Sequence, residues 1–205
     1  MTRLLHIAIL IPLLLDVTFA QERPLSPRGT ASVHVGGKWD QQGEYVGGRW
    51  IEIDYGRPIK RGRENLFGAG ATYGEQLNSG APVWRAGANQ STRLKTEVPL
   101  VFAGRTVPAG EYSVFVDLKA QGWTLIVSTH AAQQDFNPKD TTALWGAFGY
   151  TPDKDVVRAP MKLESLPFSV EEFTIVFLDM TDAGGRLAMM WDRTQGSVPF
   201  TLGKP

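Results

Sequence analysis

Tyr112-Ser113-Val114-Phe115-Val116-Asp117-Leu118 is followed, past Gln121-Gly122, by Trp123-Thr124-Leu125-Ile126-Val127-Ser128-Thr129. Both runs are strand-length and rich in β-branched and aromatic residues. Gln121-Gly122 between them is turn chemistry. The pattern predicts an antiparallel hairpin. Alternation places Tyr112, Val114, Val116 and Leu118 on one face of the first strand. It places Trp123, Leu125, Val127 and Thr129 on one face of the second.

Working outward, the same signature repeats. On the N-terminal side, Thr30 to Val35 alternates. Trp50-Ile51-Glu52-Ile53-Asp54-Tyr55 sets Ile51, Ile53 and Tyr55 against Trp50, Glu52 and Asp54, a half-buried strand. Gly36-Gly37-Lys38-Trp39 recurs as Gly47-Gly48-Arg49-Trp50, which reads as a local duplication forming a hairpin tip. Pro58 ends the strand that precedes it. Strands are expected at Thr92 to Glu97 and at Leu100 to Phe102, with turns at Ala103-Gly104-Arg105 and Pro108-Ala109-Gly110. On the C-terminal side, Ala131 to Thr142 is polar with room for one helical turn. Asp155 to Leu163 reads as a strand interrupted at Pro160, hence an edge or a bulge. Glu172 to Met180, Arg186 to Trp191 and Val198 to Leu202 are further strands, the first two joined through Thr181 to Gly185. No stretch carries three turns of helical period. About nine or ten short strands predict an all-β antiparallel sandwich, jelly-roll or immunoglobulin-like, with a closed barrel as the alternative.

The chain has 205 residues, 22 of them glycine and 13 proline, and no cysteine. Disulfides, thiol nucleophiles and thiolate metal sites are thereby excluded. Arg3 precedes an apolar run from Leu4 to Leu15 that is too short to span a bilayer, and Thr18-Phe19-Ala20 suits cleavage. Residues 1–20 are read as a secretory signal peptide, 21–29 as a flexible leader, and 30–205 as a single β-sandwich domain. The expected location is periplasmic or secreted, with no membrane anchor after cleavage. Lys plus Arg equals Asp plus Glu at 21 each, so no global charge points to nucleic acid.

Chemistry concentrates upstream of Thr92. Ile59 to Pro82 is long, glycine-rich and aperiodic, and loops of that length inside a domain are usually functional or disordered. Phe67, Tyr73 and Leu77 are the residues able to pin it down. Arg57, Arg61, Arg63, Arg85 and Arg93 lie among Tyr55, Phe67, Tyr73 and Trp84. Guanidinium groups grip carboxylate or phosphate bidentately and stack on aromatic rings, and an indole beside polar amides suits a sugar face. The candidate binding residues are Arg57, Arg63, Trp84, Arg85, Asn89 and Thr92, for a small anionic or saccharide ligand or an envelope partner. Gly87 allows a sharp turn that returns Asn89 toward Arg85, while Trp84 packs on the opposite face. The alternative is a brace in which Arg85 pairs with Glu52 or Asp54. An open concavity at Trp84, Arg85 and Asn89 favours binding; a packed ion pair there favours the brace.

Catalytic signals are sparse. His34 and His130 have no second histidine at ligand spacing, so neither metal nor cofactor is expected. Asp135 to Asp140 lacks the glycine and the bidentate acid of a calcium loop. There is no Gly-x-Ser-x-Gly elbow. Ser128 and His130 alternate on one strand end, and the alternative readings are a periplasmic hydrolase using the same arginine, tryptophan and asparagine pocket, or a purely structural domain.

Several of these segments occur together in a recognisable order. They are Tyr55-Gly56-Arg57-Pro58, Arg61-Gly62-Arg63, Phe67-Gly68, Val83-Trp84-Arg85-Ala86-Gly87-Ala88-Asn89, Thr92 and Pro108-Ala109-Gly110-Glu111-Tyr112-Ser113. The chain resembles a bacterial family of exported proteins known as domain of unknown function 2911, from about Ser26 to about Leu202. The resemblance implies an all-β domain outside the cytoplasm and implies no reaction. The doubled Gly-Gly-Lys/Arg-Trp reads as an insertion before the Tyr-Gly-Arg-Pro strand.

Overall fold

A computed structural model describes residues 24–204. The segment read as a signal peptide and the start of the leader lie outside the described residues. The strands are β1 (Arg28–Val35), β2 (Lys38–Trp39), β3 (Tyr45–Val46), β4 (Arg49–Gly56), β5 (Thr92–Thr96), β6 (Leu100–Phe102) and β7 (Arg105–Val107). They continue with β8 (Gly110–Lys119), β9 (Gly122–Ser128), β10 (Ala131–Ala132), β11 (Ala143–Leu144), β12 (Asp155–Thr181) and β13 (Gly184–Leu202). Nine of them form one sheet in the order β1-β4-β5-β8-β9-β12-β13-β6-β7. Every pairing in that sheet is antiparallel. The fold is all-β and sandwich-like.

The central hairpin forms as its sequence predicts. β8 and β9 pair with Leu118 opposite Trp123 and Val114 opposite Val127. Ala120 and Gln121 make the two-residue connection, and Gly122 already pairs with Lys119. Both faces of this hairpin are covered. Val114, Val116, Leu118, Trp123, Leu125 and Val127 enter the main core. Phe115 and Ile126 point the other way, into a smaller cluster with Val83, Ala147 and Tyr150.

The strands expected after Asp155 are fewer and longer than the sequence suggests. Asp155 to Leu163 and Glu172 to Met180 are parts of one strand, β12, and the two later segments are parts of β13. β12 changes partner along its length. Asp155 to Met161 pairs with β9, and from Lys162 onward the strand pairs with β13. Pro160 sits opposite Thr124 in the β9 part, before pairing with β13 begins. The missing amide proton therefore falls where β12 has a neighbour on one side only, which a proline tolerates. Register slips between Ser165 and Val170, and again between Val170 and Thr174. Such bulges bend a strand and increase its twist, which lets one long strand serve both layers of a sandwich. Asp192 stands opposite Val170 at this bend with a positive φ. It is held there by Lys60 Nζ at 2.5 Å and by the Ser169 hydroxyl at 2.8 Å. Those bonds hold its carboxyl below the usual carboxylate range.

The folded sheet closes over an aromatic core. Trp84, Trp123, Trp191, Phe67 and Phe173 meet there, with Trp84 stacked on Trp191 at 6.4 Å and edge-on to Phe173 at 4.8 Å. Tyr55 of β4 reaches across the layers, edge-on to Phe173, and accepts the Ile175 amide proton at its hydroxyl. The loop from Ile59 to Pro82 is ordered by the side chains expected to pin it. Phe67 enters the core, Tyr73 and Leu77 pack against it, and Tyr73 accepts the Trp123 indole proton at 2.9 Å. A 3-10 turn (Gly70–Thr72) and a four-residue helix, α1 (Glu75–Asn78), lie within it.

The segment from Ala131 to Thr142 forms no helical turn. It is a loop wound around the buried amide of Gln133, which donates to the carbonyls of Asn137, Asp140 and Ala143 and accepts from the Asn137 amide. A polar side chain that satisfies the backbone in this way competes with helix formation.

Candidate ligand-binding site

The candidate site arises from an interrupted strand. Thr92 stands opposite Val114 of β8. Continuing that register would bring Gln90 opposite Val116. Trp84 takes the position instead, exchanging backbone bonds of 2.9 and 2.8 Å with Val116. Arg85 to Ser91 is therefore looped out of the ladder. Its ends rest on Val114 and Val116, two fully buried positions of β8.

Internal bonds fix the loop. Thr92 Oγ1 donates to the Ala86 carbonyl at 2.8 Å, and the Trp84 indole donates to the Gly87 carbonyl at 3.2 Å. The Ser91 hydroxyl donates to the Gly146 carbonyl. Ala86 and Asn89 take left-handed backbone angles, which suits asparagine better than alanine. The loop crosses β4 at Gly56, where an added Cβ would overlap the Ala88 backbone; a Cβ at Gly87 would crowd the Gly56 carbonyl in turn. Two glycines let two backbones touch, a recurrent use of that residue. The Tyr-Gly-Arg-Pro and Ala-Gly-Ala-Asn motifs are thus two sides of one crossing.

Arg85 leaves this loop on the side opposite Trp84. Its Nη1 donates to the Asn89 carbonyl at 3.0 Å, so the turn does return Asn89 to Arg85, through the backbone rather than the amide side chain. The guanidinium lies against Gly146, with its carbon 5.4 Å from the centre of the Phe148 ring. It is half-buried, and burial lowers its pKa. Among the described residues, Arg85 makes no ion pair. Glu52 and Asp54 do not reach it; Asp54 accepts a bond from Thr30 instead. The brace reading has no partner here.

Beside Arg85 opens a concavity of about 250 Å³, lined among others by Arg63, Gln76, Trp84, Asn89 and Trp191. Arg63 stands over the Trp191 ring at 5.3 Å, and donates to the carbonyls of Ile59 and Lys60. Stacking and carbonyl bonds hold that guanidinium in place without consuming its charge. Four of the six residues singled out in the sequence therefore meet: Arg63, Trp84, Arg85 and Asn89. Trp84 is only 1 % exposed, so it forms the floor rather than an open stacking platform. Arg57 and Thr92 do not line the concavity. Arg57 pairs with Glu172 at 2.8 Å and ties β4 to β12, while Thr92 is fully buried. Arg61 and Arg93 point elsewhere, the latter to Glu111 at 2.7 Å.

The matching region of the chain can now be placed on this architecture. Residues 37–200 match the model of a family described as a protein of unknown function, DUF2911. The chain belongs to the DUF2911 family. The match covers the looped-out segment, the glycine crossing and the main sheet beyond β1 to within two residues of the end of β13. No curated protein and no solved structure matches the chain.

Within this DUF2911 chain, the side chains of Ser128 and His130 make no hydrogen bond to each other. The Ser128 hydroxyl donates to the Lys154 carbonyl at 3.0 Å. His130 is packed against Phe115 and Tyr150, and its Nε2 accepts the Thr151 amide proton at 3.1 Å. Gln76, Ser79 and Trp191 line the concavity without any signal in the sequence. Phe148, which packs on Arg85 outside that lining, had one faint cue: Gly146 and Gly149 bracket it, away from any strand or helical pattern. Trp191 offered none, because it reads as an ordinary strand residue.

Proposed function

We propose that this DUF2911 protein is an exported, non-catalytic binding protein that holds a small carboxylate- or phosphate-bearing ligand in the Arg85 concavity. The observation that carries this reading is Arg85 itself: half-buried, with a lowered pKa, and facing an open concavity with no carboxylate beside it. A partly desolvated guanidinium costs free energy unless an anion or several carbonyl oxygens compensate it. One carbonyl is supplied from within the chain, and a bidentate anion would complete the set. Arg63 adds a second fixed positive charge on the same wall. Export rests on the charged start, the short apolar run and the small residue at Ala20. The mass of the exported chain tests it: a start at Gln21 supports export with cleavage, and a retained Met1 refutes it.

Thermal unfolding of the mature protein in the presence of citrate, succinate, inorganic phosphate and a nucleotide tests the binding function. At least one of these anions should raise Tm, as any ligand of the native state does. Arg85→Lys keeps the charge and loses the fork. It should leave the Tm of the free protein within a few degrees and weaken the anion by about tenfold or more. A variant that unfolds much earlier with no ligand present would make Arg85 a brace. Anion binding that survives Arg85→Lys unchanged would place the site elsewhere.

A further inference from the structure

The duplicated Gly-Gly-Lys/Arg-Trp builds a second surface, remote in sequence from Arg85. Among the described residues, two exposed large apolar side chains are its tryptophans, Trp39 at 71 % and Trp50 at 48 %. They are not isolated. Trp50 stacks on His34 at 4.5 Å with only 12° between the planes. His34 meets Tyr45 edge-on at 4.9 Å, and Tyr45 meets Trp39 at 5.4 Å. Four rings thus run in a continuous row from β4 across β1 to the β2–β3 hairpin.

The glycines of the duplication make the row possible. Gly36 and Gly47, the first of each pair, have φ of 69° and 73°, the left-handed angles that turn the chain into and out of the hairpin. Gly37 and Gly48, the second of each pair, leave room for a ring. A Cβ on Gly37 would overlap Tyr45, and one on Gly48 would overlap His34. The Tyr45 hydroxyl accepts the Gly37 amide proton at 2.9 Å, and Asp40 ties the hairpin tip through the amides of Gln42 and Glu44. The rings are held in place without any ligand.

The row ends in polar groups. Trp50, Glu52, Lys95 and Glu97 enclose a concavity of about 140 Å³. Glu97 is oriented by the Trp50 amide, which donates to its Oε2 at 2.8 Å. Glu52 makes no ion pair or side-chain hydrogen bond among the described residues. Two carboxylates against one ammonium repel an anion, and they supply acceptor oxygens for hydroxyl groups. An apolar protein anchor laid on Trp50 would strip water from those carboxylates without pairing them. A pyranose with equatorial substituents avoids that cost. Its axial C–H bonds make two apolar faces that lie on an indole, and its hydroxyls project from the rim toward acceptors.

We propose that this corner is a glycan-binding platform, separate from the Arg85 concavity. Its ligand is a neutral chain of β-1,4-linked equatorial pyranoses, of the glucose or N-acetylglucosamine type. Successive units of such a ribbon run along the row toward Trp39, while one unit lays a flat face on Trp50 within reach of Glu52 and Glu97. Titration calorimetry of the mature protein with cellohexaose and with chitohexaose tests this, and distinguishes the two sugars. Maltohexaose, whose α-linked chain curves, serves as the control. At least one β-linked chain should bind. Trp50→Ala and Trp39→Ala should each weaken it by about tenfold or more with Tm preserved, Trp50→Phe should retain part of it, and Arg85→Lys should leave it unchanged. Trp39 lies at the hairpin tip, so Trp39→Ala decides the question if Trp50→Ala does not fold. Absence of binding by both β-linked chains would overturn the proposal. So would equal binding of maltohexaose, equal binding by the Trp39 variant, or loss of binding in Arg85→Lys, which would move the sugar to the concavity.

Discussion

Replacing Trp84 by alanine is expected to cost about 3–5 kcal/mol of stability, the range for deleting a buried indole. That is a large share of the roughly 5–15 kcal/mol that holds a domain together, and Tm should fall by roughly 10 °C or more. The indole fills the space between the layers against Phe67, Trp123, Phe173 and Trp191. It also satisfies the Gly87 carbonyl, so its loss removes a loop bond together with core volume. Denaturant unfolding followed by circular dichroism measures the effect. A loss below about 1 kcal/mol would mean that the cluster collapses easily around the gap. It would also contradict the view that the looped-out segment is anchored through Trp84. Trp84 would then need a reading closer to the ligand than to the core.

Gly56→Ala is the second large effect. A single methyl group would meet the Ala88 backbone, which cannot rotate away as a side chain can. Overpacking of this kind costs about 1–3 kcal/mol. It also has a functional readout that Trp84→Ala lacks. The added methyl pushes directly on the loop that carries Arg85, so any anion that raises Tm in the native protein should bind more weakly to this variant. Gly122→Ala is the matched control. A Cβ there meets nothing within 4 Å, and stability should change by no more than about 0.5 kcal/mol. Unfolding curves and anion titrations on the two variants give a direct comparison. If Gly56→Ala behaves like Gly122→Ala, the contact between β4 and the loop is loose and the glycine crossing does not position the site.

The amino-acid sequence by itself determined the β class, the β8–β9 hairpin and the buried face of β4. In each case the cause is local: side-chain alternation at period two, β-branched content and turn residues act within a dozen positions. The pairing of Arg85 with Asn89 was legible for the same reason, since a glycine between them closes a short turn. Merging the later segments into β12 and β13 was a tertiary decision. Pro160 and the polar run around Ser165 interrupt the strand pattern, yet the strand continues because Pro160 falls just before β12 exchanges β9 for β13 and the run after Ser165 falls at a slip of register against β13. The assignment of arginines was likewise tertiary. Arg57 and Arg63 belong to one short stretch, but Arg57 meets Glu172 and Arg63 meets Trp191, both on the strands that close the far layer. A guanidinium on a long flexible stem takes its role from whichever distant group folding brings within reach, and that no local pattern encodes.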